Sequence, residues 1–331
     1  MKAWRVHENG EPGAVMRLET VPDPSPGPGE VLLRVLAAGV NFPDALLCRG
    51  QYQTRPPLPF TPGVELCGEV VALGEGAEEG PGRPAVGERV IGPAALPGGA
   101  FAEYAVVPAA GVLPAPAALD DAEAAALHIG YQTGWFGLHR RAALRPGETL
   151  LVHAAAGGVG SAAVQLGKAA GATVIGVVGG PGKARTARDL GADIVVDRRA
   201  EDFVAVVKEA TSGRGANVVY DPVGGDAYTK STKCVGFEGR IVVVGFAGGT
   251  VPAPALNHAL VKNYSILGLH WGLYTTHDPV AVRHAHDELT HLAAEGLVKP
   301  LVSERVPLTG AADAVRRVSD GATVGRVVVI P

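Results

Sequence analysis

The chain has 331 residues, room for about two domains of ordinary size. Apolar residues make up 47% of it and charged residues 19%, a balance that excludes disorder and lets each domain bury its own core. Net charge is −4, and the 29 bases are dispersed in nothing longer than pairs such as Arg140-Arg141, so nucleic acid is not an expected partner.

Residues 1–11 mix charges without an apolar core and do not read as a signal peptide. No stretch approaches ~18 uninterrupted apolar residues, so neither a spanning helix nor a membrane partner is expected. Cys48, Cys67 and Cys234 are few and widely spaced; they exclude a disulfide framework and fit the reducing cytoplasm. The 46 Gly and 26 Pro show no G-X-Y period and read as turns.

Up to about residue 120, short β-type runs are predicted over 31–38, 68–73, 89–91 and 100–107, with turn clusters at 22–29 and 80–84. This spacing suggests a small, partly open β-barrel. Asp120-Asp121-Ala122-Glu123 then starts a helix, with acids in its first turn. Strands over 149–154, 173–178, 194–196, 217–220 and 240–245 follow, with helices over 159–170 and 183–190 closed by Gly171 and Gly191. Apolar strands alternating with helices predict an α/β, doubly wound parallel sheet. From about 266 the tail has a helix over 279–295, β-type runs over 301–306 and 324–330, and a helix over 310–318. It is expected to return to the first domain. The expected division is therefore 1–124 with 266–331 as a discontinuous substrate domain, and 125–265 as the cofactor domain.

The sharpest motif is Ala154-Ala155-Ala156-Gly157-Gly158-Val159-Gly160, which follows a strand and opens a helix. Ala155, Gly157 and Gly160 occupy a G-x-G-x-x-G frame: the small residue permits the turn, Gly157 lets a pyrophosphate approach, and Gly160 lets helix and strand pack. Helix N–H groups and the helix dipole favour the anion. An acid at the end of the second strand would hold NAD ribose, but that strand ends in Gly179-Gly180-Pro181-Gly182-Lys183. Lys183, together with Arg198 after the third strand, suits a 2′-phosphate, so NADPH is expected over NADH.

Beyond these readings, the chain resembles the zinc-independent NADPH:quinone oxidoreductase branch of the medium-chain dehydrogenases/reductases. The resemblance runs the whole length, through PGPGEVLLRVLAAGVNFPD (26–44), RGQYQTRPPLPFTPGVELCG (49–68), HAAAGGVGSAAVQLGKAAGATVI (153–175), VVYDPVGGD (218–226) and GLHWGLY (268–274). It implies a GroES-like, partly open β-barrel catalytic domain and a Rossmann domain, with the active site in the cleft between them. It also implies a homodimer or higher homo-oligomer, formed through an edge strand here at 265–269. For cofactor contacts it implies Asn41, Phe42, Asp44, Thr133, Ala156, Gly157, Gly158, Val159, Gly160, Gly179, Gly180, Lys183, Arg198, Phe246, Leu269, His270, Trp271 and Arg326. Zinc members carry a Cys ligand where this chain has Asn41 and a Gly-His-Glu motif where it has Gly63-Val64-Glu65, and the four-Cys zinc lobe is missing, so no metal is expected. His284, Asp287, Glu288 and His291 share one helical face; a solvated face is expected there in preference to a metal site.

Without zinc, the acceptor must tolerate developing negative charge through its own conjugation, as quinones and α,β-unsaturated carbonyls do. Hydride from NADPH to a quinone is the main expectation. Tyr52, Asn41 and Asp44 are the candidate catalytic residues. Tyr52 either donates a proton or only lines the pocket, and Asn41 and Asp44 are either polar contacts near nicotinamide or the cap of a turn. Asp221 reads as a loop cap rather than a catalyst. Two alternatives stand beside the quinone reductase. One is an enoyl or 2-alkenal reductase with Tyr52-assisted protonation, the other a non-catalytic NADPH-binding protein.

Overall fold

The structure, a computed structural model, describes residues 1–78 and 83–331; most of the turn predicted over 80–84 lies outside the described residues. The strands are β1 (Lys2–Val6), β2 (Met16–Thr20), β3 (Glu30–Gly39), β4 (Glu65–Leu73), β5 (Arg89–Pro93), β6 (Tyr104–Pro108) and β7 (Leu113–Pro114). They continue with β8 (Thr149–His153), β9 (Thr173–Val178), β10 (Ile194–Asp197), β11 (Ala216–Asp221), β12 (Val235–Val243), β13 (Ser265–Gly268), β14 (Val302–Pro307) and β15 (Arg326–Ile330). They divide between two compact units, Met1–Ile129 with Lys299–Pro331, and Gly130–Val298.

In the first unit one sheet runs β14-β15-β3-β4-β5-β7, with β6 also paired to β3, and β1 pairs with β2. Alternation along β3 turns Val31, Leu33 and Val35 inward and leaves Arg34 outside. Register shifts in the β3–β4 ladder, between Leu32 and Leu33 and between Val35 and Ala37, are the irregularities that bend a sheet toward closure. Leu33, Leu47, Phe60, Leu66, Val70, Phe101, Val327 and Val329 form the centre of one buried cluster. The run predicted over 100–107 is strand only from Tyr104. Ahead of it, the Ala100 and Phe101 N–H groups donate to the Gly63 and Pro62 carbonyls at 2.8 and 2.9 Å instead of joining a ladder.

The second unit is a six-stranded parallel sheet in the order β10-β9-β8-β11-β12-β13. The order in which successive strands are added reverses between β8 and β11, the switch point at which such folds hold dinucleotides. Among the described residues β13 pairs only with β12, which makes it an edge, as the 265–269 assignment expects.

Both boundaries differ from the expected 124 and 266. The helix Asp121–Trp135, whose start is fixed by reciprocal bonds between Asp120 and Glu123, carries the first boundary on to Ile129. The second boundary lies at Val298, because the helix Pro279–Ala294 belongs to the cofactor sheet's unit. Gln132 Nε2 donates to its Val282 carbonyl at 3.0 Å, and the Trp135 indole N–H donates to its Glu288.

Candidate functional site

In the second unit, β8 ends in a tight turn. Ala154 takes a left-handed φ of +50°, and the Gly157 N–H returns to its carbonyl at 2.8 Å. A Cβ on Gly160 would stand 2.1 Å from that same carbonyl oxygen, so only glycine lets the helix Gly158–Ala169 start this close to the strand. A Cβ on Gly176 of β9 would stand 2.9 Å from Ala155 Cβ, which explains why the first place of the frame tolerates alanine but little more. Ala156 is buried, while Gly157, Gly158 and Val159 are partly open, leaving the first-turn N–H groups as an anion cradle.

Beside this cradle, positive charge collects at the ends of β9 and β10. A Cβ on Gly179 would meet Arg198 Nε at 3.4 Å, and one on Gly180 would meet Arg199 Nη1 at 3.3 Å. Burial first, then the charges of Arg199 and Arg198, push the Lys183 ammonium below its ordinary pKa. Three cations therefore share one spot, and Arg199 is an addition to the two that the sequence suggested. Asp197 feels the charges of Arg199 and Arg198, and its Oδ1 accepts from the Gly180 and Arg199 N–H groups at 2.8 and 3.0 Å.

The remaining assignments in this unit scatter in exposure. Thr133 is buried on its helix, Phe246 packs over Gly224 and is partly open, Leu269 is buried against Gly137, His270 is exposed, and Trp271 is buried. Asp221 accepts from the Val223 and Gly224 N–H groups at 2.8 and 3.0 Å, the loop cap expected of it. Along the helix Pro279–Ala294, His284 lies 3.3 Å from Glu288, and His291 lies 3.2 Å from Glu295. These are contacts on an exposed helix face, and among the described residues no three His, Cys, Asp or Glu side chains are grouped to hold a metal.

In the first unit, Asn41 opens the helix Phe42–Cys48, and its N–H donates to Asp44 Oδ2 at 2.8 Å. Asp44 Oδ1 accepts from the Gly63 N–H at 3.0 Å. The Asn41 amide donates to the Gly39 carbonyl at 3.2 Å and to Glu65 Oε1 at 2.8 Å, while its oxygen accepts from Arg326 Nη1 at 2.8 Å. Arg326 Nη2 closes the ring onto Glu65, whose other oxygen accepts the Ile129 N–H at 2.8 Å. A Cβ on Gly39 would fall 2.5 Å from Glu65, so the ion pair lies directly on the backbone.

Three of the assigned residues meet in this network. Asn41 and Asp44 are 5% and 0% exposed, and their polar atoms are bonded to internal partners that hold the start of the helix Phe42–Cys48 in place. Arg326, 4% exposed and bound to Glu65 and Asn41, braces this network, and its Nε is buried with no hydrogen-bond partner among the described residues. Glu65 is ion-paired with Arg326, and Asp44, bonded to the Asn41 and Gly63 N–H groups, feels the guanidinium only through its charge. Burial drives Asp44 up to about 7 and Arg326 down to about 10. Phe42 stands next to Asn41 and is partly exposed.

Tyr52 differs from its neighbours. It is half-buried against the hydrophobic cluster, and its hydroxyl has no hydrogen-bond partner among the described residues. Burial first, and then the Asp44 charge, raise its pKa, so at neutral pH it is a proton-bearing donor. Glu65 is the residue that sequence reasoning missed; it figured only as the third letter of a motif lacking its histidine.

Two family models match. An alcohol dehydrogenase GroES-like domain covers residues 27–117, and a zinc-binding dehydrogenase domain covers 158–286. Over 308 residues the chain is 38% identical to quinone oxidoreductase-like protein 2 homolog of Nematostella vectensis, covering 92% of this chain and 82% of that one. Among solved structures, Escherichia coli quinone oxidoreductase complexed with NADPH superposes with a TM-score of 0.91 at 32% identity, over 100% of both chains. The enoyl reductase CurK superposes at 0.87 and 27% identity, over 99% of this chain and 98% of that one.

Proposed function

The chain belongs to the quinone-oxidoreductase-like family of medium-chain dehydrogenases/reductases, and on that footing we propose that it is a zinc-independent reductase passing hydride from NADPH to a quinone. The observation that carries this reading is the closed Asn41–Asp44–Glu65–Arg326 network. Asn41 and Val64 bring neither the thiolate nor the imidazole of a zinc site, and Glu65 is spent on Arg326, Asn41 and the Ile129 N–H. The reading therefore needs an acceptor that spreads charge over its own conjugated system.

The choice of NADPH is supported by the cluster of Lys183, Arg198 and Arg199, and by the NADPH complex of the E. coli relative. The turn 154–160 would hold the pyrophosphate on helix N–H groups, and the three cations would hold the 2′-phosphate. Bound NADPH supplies the hydride. What this chain adds is position and a hydrogen-bond donor, Tyr52.

A second reading, enoyl or 2-alkenal reduction, is favoured by the same Tyr52 hydroxyl and by the similarity to the enoyl reductase. NADPH oxidation at 340 nm against 1,4-benzoquinone, 9,10-phenanthrenequinone, a 2-alkenal and crotonyl-CoA decides between them, with NADH as parallel donor. A rate selective for quinone and NADPH is expected. Turnover of the alkenal or thioester alone transfers the protein to the second reading, and NADPH binding without turnover of any acceptor leaves a binding protein.

A homodimer through β13 is also part of this reading. The edge is open, and the helix Leu256–Lys262 that precedes it in the chain has no buried residue, with Leu256, Leu260 and Val261 at least 70% exposed. Light scattering should return twice the chain mass, and Leu260→Glu with Val261→Glu should return the monomer. A wild-type monomer would remove the proposal. The cytoplasm is the compartment proposed. Burial pushes the thiols of Cys48, Cys67 and Cys234 up to about 12, and among the described residues no helix is long and apolar enough to cross a membrane.

A further inference from the structure

The first unit holds a cavity of about 60 Å³ that none of the residues assigned above explains. Its floor is Leu47 and Phe60, 2% and 1% exposed, and Leu58 forms a half-open wall. Its rim is polar, made of Asn9, Thr54 and Arg55. Arg55 is exposed and makes no hydrogen bond or ion pair with any described residue, and no carboxylate lines the cavity with it. By contrast Arg5, two strands of sequence away, is tied to the Pro59 carbonyl at 3.1 Å, and Arg49 to Glu11 at 2.7 Å.

The segment that makes this rim is held mainly at its ends. The Gln51 N–H donates to the Leu46 carbonyl at 2.8 Å, and Phe60 exchanges bonds with Val6 at 2.8 and 3.1 Å. Tyr52 lies on this same segment, and it packs on the hydrophobic cluster that contains Leu47 and Phe60. An apolar floor under an uncompensated guanidinium, a carboxamide and a hydroxyl is a receptor for a small anionic group on a short apolar arm. Size limits the occupant further. A cavity of about 150 Å³ is what benzene needs, so this one takes a substituent and leaves a ring outside.

We propose that this cavity is an acceptor subsite which selects conjugated substrates carrying a carboxylate or sulfonate, through Arg55, Thr54 and Asn9. The proposal rests on the reductase reading for its biological meaning, although binding tests it separately. The experiment compares kcat/KM for 1,4-naphthoquinone-2-sulfonate with that for uncharged 1,4-naphthoquinone, in the wild type, Arg55→Gln and Arg55→Lys. Arg55→Gln should lower the charged-to-uncharged ratio about tenfold, and Arg55→Lys should restore part of it. A ratio unchanged in Arg55→Gln overturns the proposal. Alongside, unreactive naphthalene-2-sulfonate is titrated calorimetrically into the protein saturated with NADP⁺, so that the cofactor's phosphate site is already filled. Binding should weaken at least fivefold in Arg55→Gln, and equal affinity in the two proteins also overturns it. If neither quinone is reduced, the quinone reading fails while the titration still decides the cavity.

Discussion

Arg326 and Asn41, 285 residues apart in the chain, are joined by a 2.8 Å hydrogen bond from Nη1 to the amide oxygen, and Glu65 takes the other end of both side chains. This arrangement fixes the rotamer of Asn41 through bonds to Gly39, Glu65 and Arg326. It also makes a buried charge balance that single substitutions disturb in calculable ways.

Glu65→Gln leaves the Arg326 guanidinium buried without its full counter-charge. Breaking a buried pair costs about 3 kcal/mol or more, so the urea midpoint should fall accordingly. Adding Arg326→Gln should recover part of the loss. A double variant no better than the single one would show that the hydrogen bonds, not the charges, carry the stability.

Asp44 gives a pH signature. Its folded pKa, about 7, is raised by burial above an unfolded value near 3.9. The folded state therefore binds the extra proton between those values, and the stability this provides is full below about pH 4 and is lost as pH rises through 7. Relative to Asp44→Asn, the wild type should lose about 2 kcal/mol between pH 5 and pH 7 in urea unfolding. Parallel curves for the two proteins would contradict the burial of this carboxyl.

Tyr52→Phe separates the two reductase readings. Positioned general acids contribute about 10²-fold or more, so alkenal or thioester reduction should fall by at least that factor. Quinone reduction, where water can deliver the protons, should change less than about threefold, since only a packing contact and a weak donor are altered.

If these cations hold the 2′-phosphate as proposed, Lys183→Ala and Arg199→Ala should each raise KM for NADPH by about tenfold or more and leave KM for NADH nearly constant. An equal effect on both cofactors would move the cluster's role to general electrostatics.

Gly160→Ala places a methyl group 2.1 Å from the Ala154 carbonyl oxygen. The turn must open to admit it, so NADPH affinity, followed by the cofactor's fluorescence, should fall steeply while the first unit's folding is untouched.

Much of this architecture was legible because its signals are local. β8, β9 and β11 are apolar runs, the helices after β8 and β9 are followed by Gly171 and Gly191 at positive φ, and the turn 154–160 announces itself by composition. β1 and β2 were not legible, since five residues each of mixed polarity carry too little period. The unit boundary at Val298 depends on Gln132 reaching a carbonyl 150 residues away, and the Glu65–Arg326 pair spans 261 residues. Neither leaves a trace in sequence spacing. For the same reason, Asn41 and Asp44 looked like site chemistry from their motif, and only burial revealed that their polar atoms face inward.

The position of β15 has a consequence for synthesis. It lies between β14 and β3, with Val327, Val328 and Val329 fully buried, so the sheet of the first unit is missing an interior strand until residues 326–330 have left the ribosome. The Gly130–Val298 unit is made of continuous chain and meets no such delay. During translation the Gly130–Val298 unit can therefore complete first, while residues 1–129 wait with the Ala38–Gly39 end of β3, beyond its pairing with β6, lacking a partner, a short exposed edge that a chaperone would be expected to cover.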